Sequence, residues 1–121
     1  MLKALLNIPK RAVSATRYSL GGLKSAFVKE EAFKLETAAL VILIIVLFWA
    51  NWPIWKKVAL TAAYLLVPLI ELINSALEDI CDLISPQYNE KIKSAKDKAS
   101  AAVLAAIVVS ILTLIILILH P

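Results

Sequence analysis

VALTAAYLLVPLIELINSALEDICDLI, residues 58–84, is the stretch on which the fold turns. As a helix rising about 1.5 Å per residue it is long enough to cross the roughly 30 Å of hydrocarbon in a bilayer. Yet it carries Glu71, Asn74, Glu78 and Asp82 at spacings of three, four and four, which place four polar side chains on one helical stripe. A carboxylate at membrane depth costs at least about 2.5 kcal/mol and marks a functional site by default. The segment reads as a membrane helix with its chemistry on one face.

The flanking sequence has the same character. Residues 38–49 hold no charge, and residues 99–119 form a second uncharged run of about the 20 residues that a span requires. With 61% hydrophobic and 18% charged residues in a chain of 121, the surface is too apolar for a soluble domain of this size. The fold class expected is an all-α membrane protein, with transmembrane helices over about 32–51, 57–84 and 99–119. Ahead of them, residues 8–28 place Val13, Leu20, Leu23 and Phe27 on one face, with Lys10, Arg11, Arg17 and Lys24 elsewhere. This suits an amphipathic surface helix lying in the headgroups, either as a plain anchor or lining a site. Gly21 and Gly22 weaken that helix and mark a bend or a close backbone approach. Neither an internal repeat nor a low-complexity linker interrupts the chain, so residues 1–121 read as a single domain.

Proline and tryptophan set the limits of the spans. Pro53 ends the first, and Trp49, Trp52 and Trp55 suit a belt at the membrane interface. Pro68 falls inside the second span just before Glu71, as a kink or a packing accommodation, and Pro86 follows its end. The connection over residues 85–98 is expected to become helical from Asn89 onward, where Glu90, Lys93 and Asp97 recur at pairing distance. Basic residues crowd the N-terminal segment and the second connection, leaving Lys56 and Lys57 in the first. A cytoplasmic N-terminus and a C-terminus on the outer side follow. The alternation of apolar and basic residues in the first 30 positions predicts no cleavable signal peptide. Cys81 stands alone, which excludes an intramolecular disulfide and a cysteine-based zinc site. A net charge of +4 lodged outside the spans reports orientation, so nucleic acid is not an expected partner.

In that topology Glu71 lies near mid-depth and Glu78 nearer the cytosol. Glu30 and Glu31 at the mouth of the first span, and Lys96 and Asp97 ahead of the third, reach the same level. Carboxylates without histidine or thiol partners favour a hard cation such as magnesium, which usually bridges phosphate oxygens. Glu30 or Glu31 together with Glu78 are the candidate ligands. A carboxylate removed from water holds a proton more readily, and one so tuned can take the proton of an alcohol during phosphoryl transfer. The chain has neither a P-loop nor a glycine-rich kinase loop, so a nucleotide site would have to be built from helix side chains. On residues alone a proton relay, a small proton-coupled exporter with Glu71 as its titrating group, and an enzyme all stand. An exporter would carry polar residues through the full depth, whereas here the outer half is almost wholly apolar.

The run Glu71-Leu-Ile-Asn74-Ser75-Ala-Leu-Glu78-Asp-Ile-Cys-Asp82, then Ala95-Lys96-Asp97 and Ser100-Ala-Ala-Val103, closely resembles the signature of the bacterial integral-membrane diacylglycerol kinases. Tyr18-Ser19, Gly22-Leu23, Glu30, Ala32-Phe33 and Glu36 extend the likeness to the surface helix and the first span. The resemblance implies ATP-dependent phosphorylation of diacylglycerol to phosphatidic acid in the bacterial inner membrane, by a homotrimer whose active sites are shared between neighbours. It implies Glu71 as general base and Glu30 and Glu78 as magnesium ligands, both of which also face ATP. Asn74, Lys96 and Asp97 resemble nucleotide-contacting positions, joined by Arg11, Tyr18 and Tyr88. Phe33, Glu36, Trp49 and Ser100, with Glu71, match positions facing the lipid substrate. Two departures stand out: Lys34 replaces an arginine, losing bidentate geometry, and Gln87 and Asn89 flank Tyr88 where glutamate and histidine are commoner. Similar relatives phosphorylate undecaprenol, and the catalytic motif does not separate the two. The Glu30-Glu-Ala-Phe-Lys-Leu-Glu36 entrance is closer to the diacylglycerol type. Asp79 reads as structural, and Asp82 is left without a role.

Overall fold

The computed structural model describes residues 8–120, which form four helices: α1 (Ile8–Lys29), α2 (Glu31–Trp49), α3 (Ile54–Ile84) and α4 (Glu90–Leu119). α2, α3 and α4 are each long and apolar enough to cross a membrane. α3 is the central element and packs against both α2 and α4, while α1 touches α2.

Local chemistry accounts for the boundaries. Glu30 adopts extended backbone and divides α1 from α2, whose first turn is braced by an ion pair from Lys34 Nζ to Glu31 Oε1 at 2.7 Å. α2 stops at Trp49, because the residue before a proline avoids helical backbone and Pro53 cannot extend one. α3 starts just after Pro53, three residues before the expected position 57. Lys56 and Lys57 therefore belong to its first turn and not to a loop. It continues unbroken through the buried Pro68, which has no amide to offer the Tyr64 carbonyl one turn back. The Asn89 side chain caps α4, accepting from the amides of Lys91 at 2.9 Å and Ile92 at 3.3 Å.

α1 is continuous through Gly21 and Gly22, and a Cβ added at either would meet nothing within 4 Å. Neither glycine thus marks a close approach among the described residues. From Arg11 to Lys29 only Ala26 is buried.

Away from the connection between them, Ser110 and Lys56 clasp α4 to α3. Ser110 Oγ lies 3.0 Å from the Ala63 carbonyl across the interface and 2.9 Å from its own Ala106 carbonyl. Lys56, buried beside Trp52 and Trp55, donates from Nζ to the carbonyls of Leu117 and His120. A lysine there satisfies carbonyls that a helix end leaves unpaired and complements its dipole. Next to this clasp sits the small apolar core of Leu47, Leu60 and Leu117. Most other large apolar side chains, among them Ile42, Ile45, Phe48 and Leu112, are exposed. Lipid is as apolar as these side chains, so spanning helices gain little from burying them against one another.

Candidate active site

The N-terminus of α2, the C-terminal half of α3 and the N-terminal turns of α4 lie at one end of the bundle, where the polar residues gather. Glu71 is 7% exposed, one turn beyond Pro68. Asn74, 8% exposed, donates from Nδ2 to Glu78 Oε1 at 3.3 Å, while its Oδ1 is buried with no partner among the described residues. Glu78 is half-buried and Asp82 exposed, so the stripe grades from the interior to the surface along α3.

Other helices complete the cluster. Glu30, at the α1–α2 junction, and Glu78 both lie within electrostatic reach of Glu71, and so does Glu36 from α2. Glu36 Oε2 is buried without a partner among the described residues, and its backbone carbonyl accepts from the Tyr64 hydroxyl at 3.4 Å. Among the described residues no ion pair involves Glu30, Glu71 or Glu78. Like charges are thus brought together without a paired cation among the described residues. Nor does any group of three metal-ligating side chains form among the described residues. A donor set of two carboxylates, all oxygen and short of a full shell, fits magnesium, which takes its remaining ligands from water and substrate phosphates.

Asp82 acquires a partner that its spacing alone did not reveal. Lys96 Nζ meets its Oδ1 at 2.5 Å and joins α4 to α3. Asp97 pairs with Lys93 at 2.7 Å within α4. Lys93, Lys96, Asp97, Asp82 and Tyr88 line an open polar cleft of about 280 Å³ at the α3–α4 connection, with Tyr88 itself exposed. A second cleft, about 460 Å³, opens between α1 and α3 and is lined by Ser19, Gly22, Glu30, Ser75 and Asp79.

The remaining expected residues are dispersed. Phe33 is buried edge-on against Phe27, with ring centroids 5.0 Å apart. Ser100 is exposed on α4. Tyr18 is 77% exposed, and Arg11 lies about 28 Å from Glu30 along α1 at ~1.5 Å per residue. Trp49 is 80% exposed and about 20 Å beyond Glu36 on α2.

A family model, prokaryotic diacylglycerol kinase, matches residues 17–118. The chain belongs to the prokaryotic diacylglycerol kinase family. It is 37% identical to a diacylglycerol kinase of Escherichia coli (strain K12) over 107 residues, 88% of each chain. A diacylglycerol kinase of Haemophilus influenzae is 39% identical over 95 residues, 78% of this chain and 80% of that one. One from Pseudomonas aeruginosa is 38% identical over 104 residues, 86% and 85% of the two chains. The family is one of lipid kinases, and the match takes in every site residue expected from the sequence except Arg11.

Sequence reasoning passed over Ser75. It is 8% exposed, and its hydroxyl is buried with no partner among the described residues. Its position one helical turn beyond Glu71 was the available signal.

Proposed function

We propose that the chain is an ATP-dependent diacylglycerol kinase that forms phosphatidic acid at the cytoplasmic face of a bacterial inner membrane, acting as one domain. The observation that carries this reading is the buried Glu71, flanked by Glu30 and Glu78 with no paired cation among the described residues, in a chain of the diacylglycerol kinase family. The diacylglycerol hydroxyl approaches within the bilayer and ATP arrives from the cytosol. Glu71 accepts the hydroxyl proton on its carboxylate as that oxygen bonds the γ-phosphorus and the bond to the ADP oxygen breaks. Glu30 and Glu78 are the residues that would hold magnesium, which would supply charge neutralisation at the phosphates. Asn74 keeps Glu78 oriented through its amide and presents a free carbonyl oxygen toward the nucleotide. Lys96 and Asp97 at the polar cleft, with Tyr88, Tyr18 and Arg11, hold ATP. Catalysis is then mainly positioning and charge compensation.

Phe33, Glu36 and Ser100 face the lipid near its headgroup. Trp49, about 20 Å further along α2, meets only its hydrocarbon tails. α1 lies amphipathically at the interface, with the N-terminus cytoplasmic and the C-terminus periplasmic. The assembly is a homotrimer with shared sites. The distance of Arg11 from Glu30 along its own helix, and the unpartnered Glu36 Oε2, favour groups supplied by a neighbouring copy.

The carboxylates are confined to one end of the bundle, which with family membership favours a kinase over a proton-coupled exporter. The matched relatives are named for diacylglycerol, which favours that lipid over undecaprenol. Offering both lipids with ATP to the purified protein tests the substrate. Phosphatidic acid should be the main product, and exclusive phosphorylation of undecaprenol would overturn the assignment.

A further inference from the structure

Ser75 differs from the hydroxyls that these helices absorb. Thr16, Ser19, Thr37, Ser110 and Thr113 each donate to the carbonyl four residues back, the usual way a helix absorbs a hydroxyl. Ser75 is more than nine-tenths buried and does not make this bond, nor any other within the described chain. Leaving a buried hydroxyl unmet is costly, so such a group calls for a partner from outside the described chain. The hydroxyl lines the cleft between α1 and α3 that also contains Glu30, and its side chain lies one helical turn from Glu71 on the same face.

Resting on the kinase reading above, we propose that Ser75 is a specificity-determining residue that donates its hydroxyl hydrogen to an ester carbonyl oxygen of diacylglycerol. The chemistry of the lipid selects the bond. The reacting alcohol of diacylglycerol sits beside an ester, so a substrate whose hydroxyl meets Glu71 carries a carbonyl acceptor into the neighbouring turn. The ester is unchanged by the reaction, and Ser75 holds and orients it while Glu71 takes the proton. A lipid alcohol without a carbonyl leaves Ser75 unmet, and a site built around such a donor discriminates against the analogue that lacks the acceptor.

The test compares diacylglycerol with a dialkylglycerol of equal chain length, which keeps the hydroxyl and replaces each ester by an ether. The wild-type protein should favour the diester in kcat/KM by about fivefold or more, the value of one good hydrogen bond. Ser75→Ala should bring the ratio close to one by losing diester activity while ether activity stays. Ser75→Cys, of similar size but a weak donor, should fall between, and it decides the matter by the same ratio if the alanine variant is inactive. A wild type indifferent to the ester, or a variant that loses both substrates equally, overturns the proposal and leaves Ser75 a packing residue. A wild type that phosphorylates neither glycerolipid instead overturns the kinase reading on which it rests.

Discussion

Glu30 at the α1–α2 junction and Glu78 on α3 both act on Glu71, and an arrangement of unneutralised carboxylates is stable only if a cation or a proton joins it. Glu30→Gln and Glu78→Gln should each raise the magnesium concentration for half-maximal activity by about tenfold or more, or abolish activity. An unchanged magnesium titration would remove both from the metal site. Asp82 is a different kind of acid. Its pair with Lys96 is largely solvent-exposed, so Asp82→Asn should change unfolding free energy by less than about 1 kcal/mol. A larger loss, measured by denaturant titration in detergent, would make that pair a structural element.

Among the helices, the α3–α4 interface carries several polar ties. Lys56→Met removes the donor to two carbonyls at the end of α4 and should destabilise the protein by about 1–3 kcal/mol, leaving kcat of the folded enzyme unchanged because the site is at the other end. Ser110→Ala should cost about 0.6 kcal/mol, the usual worth of an interhelical hydrogen bond in a membrane. Lys56 also shows where sequence reading stops. Hydropathy placed three membrane-crossing segments, because length and apolarity are local properties. The same hydropathy put Lys56 in a loop, since the carbonyls it satisfies lie 61 and 64 residues away and only tertiary packing delivers them. The stripe from Glu71 to Asp82 was legible in spacing alone. The partner of Asp82 was not, because Lys96 reaches it from another helix. Nor was the freedom of the Ser75 hydroxyl, which depends on a rotamer that no local pattern dictates.

For the whole molecule, the proposed homotrimer should appear in detergent as a particle of about three times the 13.3 kDa chain mass once bound detergent is subtracted. Activity in a particle of single-chain mass would instead show that one chain holds a complete site. The account as a whole rests on the buried carboxylate of Glu71 acting on a lipid hydroxyl within that assembly. Transfer of labelled γ-phosphate from ATP to diacylglycerol, by the wild type and by Glu71→Gln purified at equal assembly, tests it most directly. The account predicts labelled phosphatidic acid from the wild type and a rate at least about a hundredfold lower from the variant, whose amide keeps the shape and loses the base. Transfer by the variant at the wild-type rate would contradict it.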